Sequence, residues 1–278
     1  MRHRPRVTSI LIAAITCWTA AVPAAHADLN AGLVAYWPLD GNAQDASGNG
    51  HHGTVAGATP AVDRHGNSSA CYDFDGIDDF IFGSAEGLPT AERTTAFWFY
   101  ADNLDRPSPF GYGGGGCGTT WFVGINHGFC ECCVIGRHCS GIIESPLSSI
   151  TAESWHHVAV TTHATGTRLY IDGRLVASNA VFENTTNVTG TEFSIGVIPS
   201  PGGDAPYTDG NVQFMSGRID EVRVYDRALA TQELRQLADR PLPGVSPFAL
   251  AGILALLGLA GSSAVVRLRR VTPQADSV

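Results

Sequence analysis

Between residues 28 and 240 the apolar residues come in short runs, each closed by Gly, Asn, Asp or Pro, and this punctuation constrains the fold more than any other feature. Runs of that length fit strands better than helices. Leu33 to Trp37 is one such run, and the aromatic stretch Ala96 to Tyr100 is another. His157 to Val160 and Arg168 to Ile171 follow, the second leading through Asp172-Gly173 into Arg174 to Val176. Asp-Gly between apolar runs is a strong short-range hairpin signal. Arg218 to Tyr225 alternates, with Ile219, Val222 and Val224 on its apolar side. Only Thr231 to Leu237 reads as a helix, with Thr231 as its N-cap. The pattern predicts an all-β antiparallel sandwich with one short C-terminal helix.

The two ends read differently. Residues 1–27 pass from Arg2, Arg4 and Arg6 through an apolar stretch to Ala25-His26-Ala27, the layout of a secretory signal peptide cut before Asp28. At the other end, residues 247–266 carry no charge, and as a helix they would measure roughly 30 Å, one hydrocarbon thickness. Arg267, Arg269 and Arg270 follow, so residues 267–278 are expected to stay cytoplasmic. The domain at 28–240 is thus expected outside the cell, joined by a linker at 241–246 to a single-pass transmembrane helix. The Pro/Gly segment, apolar helix and Arg cluster together resemble the C-terminal sorting signals of bacterial surface proteins handled by exosortase-type enzymes. Neither Pro-Glu-Pro nor Leu-Pro-x-Thr-Gly precedes the helix.

Charge and cysteine usage narrow the function. All 17 basic residues are Arg, which removes P-loop and Schiff-base chemistry that needs Lys. Residues 28–240 hold 11 Arg against 25 acids, a balance of −14 that disfavours nucleic acid and other polyanions. Beyond Cys17, six cysteines remain: Cys71, Cys117, Cys130, Cys132, Cys133 and Cys139. An even count in an exported chain reads as disulfides, with 15 possible connectivities. Cys117 and Cys139 bracket the cluster and form the preferred bridge. A metal knuckle with His127 and His138 is the alternative.

A family resemblance rests on five motifs in order. Gly32-Leu-Val-Ala-Tyr-Trp-Pro-Leu-Asp-Gly-Asn42, with Asp45-Ala-Ser-Gly-Asn-Gly50 after it, resembles the opening of laminin-G-like, concanavalin A-like jelly-roll domains. Tyr72-Asp-Phe-Asp-Gly-Ile-Asp-Asp-Phe80, Trp155-His-His-Val-Ala159, Leu169-Tyr-Ile-Asp-Gly173 and the run from Gly217 to Leu229 continue the likeness. The resemblance implies a jelly roll over residues 28–240, and a structural calcium joining the opening turn to the last strand through Asp45, Asn49 and Asp220. An Asx turn at Asp45 and an Arg partner for Asp220 are the plainer reading. Residues 106–145, with their Gly run and clustered cysteines, depart from the family pattern and read as an elaborated loop or extra hairpin. Asp75, Asp78 and Asp79 read as a solvated hairpin edge, His51-His52 as exposed, and one of His156-His157 as buried and hydrogen-bonded.

Catalytic signatures are absent from the sequence. The glucanases of this fold carry Glu-x-Asp-x-x-Glu, whereas no two Glu here lie within five positions of each other. There is no Gly-x-Ser-x-Gly and no His-Glu-x-x-His. Tyr112, Trp121, Phe129 and Tyr207 fall in Gly-rich stretches and are the candidates for stacking on a sugar ring, against ordinary core packing. The expected function is a non-enzymatic, surface-displayed recognition module for carbohydrate or a protein partner. A carbohydrate-active enzyme of the same fold and a purely structural envelope protein are the alternatives.

Overall fold

A computed structural model describes residues 28–105, 107–113, 120–125, 134–138, 141–180, 192–198 and 214–238. The expected signal peptide, linker, transmembrane helix and tail lie outside them, as do Phe129, Tyr207, Cys117 and Cys139. Among the described residues no helix is long and apolar enough to cross a membrane.

Two antiparallel sheets face each other. Their strands, in chain order, are β1 (Leu33–Trp37), β2 (Thr54–Ala56), β3 (Thr59–Ala61), β4 (Cys71–Asp75), β5 (Phe80–Ser84), β6 (Arg93–Ala101), β7 (Phe110–Gly113), β8 (Thr120–Ile125), β9 (Val134–His138), β10 (Gly141–Glu144), β11 (Trp155–His163), β12 (Gly166–Ile171), β13 (Arg174–Asn179), β14 (Glu192–Ile195) and β15 (Ser216–Tyr225). Sheet A runs β13-β12-β11-β6-β15-β4-β3, with β1 pairing on β15 beyond β4. Sheet B runs β10-β9-β8-β7-β14-β5-β2. The order is that of a jelly roll closed by one short helix, α1 (Thr231–Ala238).

Period-two alternation decides which side chains meet between the sheets. Phe97 and Phe99 of β6, Val158 and Val160 of β11, and Ile219, Val222 and Val224 of β15 point inward. Sheet B answers with Ile81, Phe110, Tyr112, Trp121, Val123, Phe193 and Ile195. Trp37 anchors the centre, its ring 4.4 Å from Phe193 and its Nε1–H donating to His51 O at 2.7 Å. Asp172 and Gly173, with φ of 49° and 70°, make the two-residue turn between β12 and β13. Such a turn wants positive φ at both positions, which Asp-Gly supplies cheaply.

Of the two readings of residues 106–145, the described parts fit the extra hairpin rather than the elaborated loop: β7 pairs with β8 and β9 with β10. They contribute β7, β8, β9 and β10, four consecutive strands of sheet B. The helix is also capped differently: Thr231 is its first residue, and Ala230 is the cap. Glu233 accepts the Ala230 N–H at 2.7 Å, half of a capping box. Glu233 also grips Arg227, whose Nε donates to Ala31 O at 2.7 Å, so α1 and the segment entering β1 are bound to one another. Both lie on the outer face of sheet A, over Ala96, Ala159 and Tyr170.

Candidate functional site

Tyr112 and Trp121 are both fully buried, so neither can stack on a ligand in solvent. They do meet, as walls around the buried Arg93. Its guanidinium lies 4.9 Å from the Trp121 ring centre, and its Nη1 donates to Tyr112 Oη at 3.2 Å. Trp121 Nε1 donates to Thr95 Oγ1 at 3.1 Å, which fixes the indole between the sheets. Their neighbours Gly111 and Gly113 occupy the alternate positions of β7, so the Gly content suggested a loop where the strand period places core aromatics.

The residues named for calcium do not fit that ion. Asp45 Oδ1 accepts the N–H groups of Tyr36 and Ser47, and Oδ2 accepts Ser47 Oγ–H and the His51 N–H. Burial pushes this carboxyl upward, but these four hydrogen bonds prevail and hold it below the usual range. Asn49 turns its Nδ2 donor toward Leu33 O and Val34 O. Asp220, 2% exposed, is paired with Arg64. N–H donors and a guanidinium stand where a cation would need oxygens. The Asx turn and the Arg partner of the plainer reading are what the structure contains.

Other expectations are corrected on the same ground. His51 is buried, because its backbone is shared between Asp45 and Trp37. His156 and His157 divide the predicted role. His157 is buried 5.3 Å from Trp98 with Nδ1 lacking a partner, while His156 Nδ1 meets Asp172 Oδ2 at 3.1 Å. Cys71 is a buried free thiol whose S–H donates to Val62 O, and burial pushes it up to about 12. The other five cysteines beyond Cys17 lie outside the described residues.

Partly exposed aromatic rings gather at one end of the sandwich. On the outer face of sheet A the row Asp73–Arg218–Tyr100–Trp155 crosses β4, β15, β6 and β11 in register. Tyr100 and Trp155 lie 5.8 Å apart, and the Arg218 guanidinium sits 5.1 Å from the Tyr100 ring centre. Sheet B brings Phe80 and Phe82 of β5, alternating with core Ile81, and Phe214 lies 6.3 Å from Phe80. Between the two faces runs the 76–79 connection. Asp75, Asp78 and Asp79 are therefore not a hairpin edge, because β4 and β5 belong to different sheets.

These acids are ordered by the turn they make. Asp75 Oδ1 accepts the N–H groups of Ile77 and Asp78, and Asp79 Oδ2 accepts the Asp75 N–H. Asp79 is pressed on Gly57, at φ 81°, where any Cβ would strike Oδ1. Burial first, then Asp75 and Asp78, raises the Asp79 carboxyl above its usual range. Asp102 receives Ser216 Oγ–H at 3.1 Å, and Ser216 pairs with Asp75. Each carboxylate keeps acceptor capacity beyond these bonds. Oxygens of Asp75, Asp78 and Asp79 come within 4.8 Å of one another. Sequence motifs contained Trp155 and Phe80, but their placement at the same end of the sandwich arises from pairings between positions far apart in the chain.

Residues 74–235 match the family described as the concanavalin A-like lectin/glucanases superfamily, of laminin-G type. The chain belongs to that superfamily. Among solved structures, the fold resembles domain 4 of AbnA, an extracellular GH43 arabinanase from Geobacillus stearothermophilus, in complex with arabinotriose. The TM-score is 0.59 at 19% identity, covering 75% of this chain and 99% of that one. It also resembles the botulinum neurotoxin serotype D binding domain, with TM-score 0.55, 14% identity, and coverage of 76% and 52%. The serotype D ligand binding domain in complex with N-acetylneuraminic acid gives a TM-score of 0.53 at 14% identity, covering 76% and 51%. The chain thus spans about half the length of these toxin domains. No curated protein sequence matches it.

Proposed function

We propose that this protein is an exported, membrane-tethered and non-catalytic recognition module that binds a neutral carbohydrate at the Tyr100–Trp155 row on the outer face of sheet A. The observation carrying this reading is the pair of half-buried rings Tyr100 and Trp155, 5.8 Å apart on that face, with Asp73 in the same row and Asp102 bonded to Ser216 of β15. Sugar rings offer apolar C–H faces to aromatics and hydroxyl donors to carboxylates. A related fold in complex with arabinotriose is consistent with such a ligand. The acids, on a domain with a balance of −14, weigh against an anionic sugar. A glycosidase acid pair is not favoured, because Asp75 and Asp79 are spent on shaping their turn. Export and tethering rest on the terminal sequence patterns.

A glycan array probed with the full chain tests this. Neutral glycans are expected to bind, and Trp155→Ala or Tyr100→Ala should each weaken binding by about tenfold or more. Silence across all neutral sugars, or undiminished binding by both variants, rejects the site.

A further inference from the structure

The segment between β3 and β4 carries a feature that neither the fold nor the sugar site requires. Asp63 gathers three donors from its own loop: the N–H groups of His65 and Asn67, both at 2.8 Å, and Asn67 Nδ2 at 2.9 Å. This fixes a tight turn and presents Arg64 to the outer face of sheet A. There the guanidinium lies 4.7 Å from the Trp98 ring centre and pairs with Asp220 of β15. The pair is nearly closed to solvent, with side-chain exposures of 9% and 3%. Beside it, Glu221 stands at φ 57° in a bulge of β15, where it meets Arg223 and accepts Tyr36 Oη–H. Arg223 in turn lies 3.9 Å from the Tyr36 ring centre. A buried acid, Asp220, and a half-buried one, Glu221, are thus matched by two arginines, each laid on an aromatic face.

Charge balance here has a consequence for metal dependence. A buried carboxylate such as Asp220 must be compensated, and the choices are a proton, a metal cation or a basic side chain. The nearby acids Glu221, Asp63 and Asp40 deepen the negative potential at Asp220, which would suit a divalent ion if the place were free. Arg64 takes that place, and its planar fork fits between carboxylate and indole where a lysine ammonium would not. We propose that Arg64 supplies from inside the chain the positive charge that a calcium ion would supply between the last strand and the segment covering it, so that the fold stands without metal.

Thermal unfolding of the full chain in detergent tests this, with wild type measured in excess chelator and in millimolar calcium. The two midpoints are expected to coincide, whereas a midpoint that falls under chelator overturns the proposal. Arg64→Met should lower the midpoint by about 10 °C, because it leaves Asp220 buried without a counter-charge. Adding Asp220→Asn to that variant should restore a good part of the loss. If the double variant is no more stable than Arg64→Met, charge compensation is not what the arginine provides, and the proposal also fails. Should Arg64→Met not fold, a folded double variant supports the proposal and an unfolded one opposes it, with the wild-type comparison as an independent check.

Discussion

His157 shows how one side chain can set the acid limit of the whole domain. Its ring is buried against Trp98 on β6, and burial, with Arg223 second, drives its pKa down from 6.5 to about 3. Asp172, Arg64 and Glu221 also act on the ring without reversing that direction. The folded state therefore holds His157 neutral, while the unfolded chain takes up a proton below pH 6.5. Stability is complete above 6.5 and is lost as pH falls from there toward 3, at up to about 1.4 kcal/mol per pH unit. His157→Leu should flatten this limb between pH 6.5 and 4.5 in urea unfolding. Parallel curves for variant and wild type would show that another group sets the limit. Nothing in the sequence separates His157 from His156. Only the register, which puts one inside the covered face and the other beside Asp172, tells them apart.

Strands and turns were largely legible in the sequence where their chemistry is local. Leu33–Trp37 and the Asp172-Gly173 turn follow from residue type alone. Trp121–Val123 of β8 also reads as strand from residue type, whereas β7 does not, because Gly111 and Gly113 look like turn chemistry although Phe110 and Tyr112 keep a strand's period. The candidate site was illegible for a related reason: residues 73–80, 100–102, 155 and 214–218 are joined only by sheet pairing. For calcium, the motif names Asp45 and Asp220 but not the donors that surround them. Among the elements, α1 makes a sharp test. Glu233 both caps it and holds Arg227, so Glu233→Ala should cost about 1–2 kcal/mol in urea unfolding. A loss below about 0.5 kcal/mol would mean that burial of Leu234 and Leu237 alone keeps the helix docked.

For the molecule as a whole, the placement of the two chain exits relative to the rings matters most. Asp28 and α1 are fastened together through Arg227, beside the Thr94 end of β6, whose Oγ1 donates to Arg227 O at 2.7 Å. Tyr100 lies at the far end of the same strand, about 20 Å away at the usual rise per residue, with Trp155 of β11 paired to it. The N-terminal segment therefore enters at the pole opposite the aromatic rim, whereas α1 ends with Ala238 against Gly173 of the β12–β13 turn, whose Asp172 meets His156 beside Trp155, on the rim's own pole. Immobilising the mature domain through its N-terminus at Asp28 should leave glycan capture unchanged, whereas biotin attached at an Asp102→Cys position should abolish it; equal capture by both would misplace the rim. On a cell, a tether starting from α1 would hold the receptive end toward the anchoring surface, so a ligand would reach it from the side, through the gap that the linker keeps open.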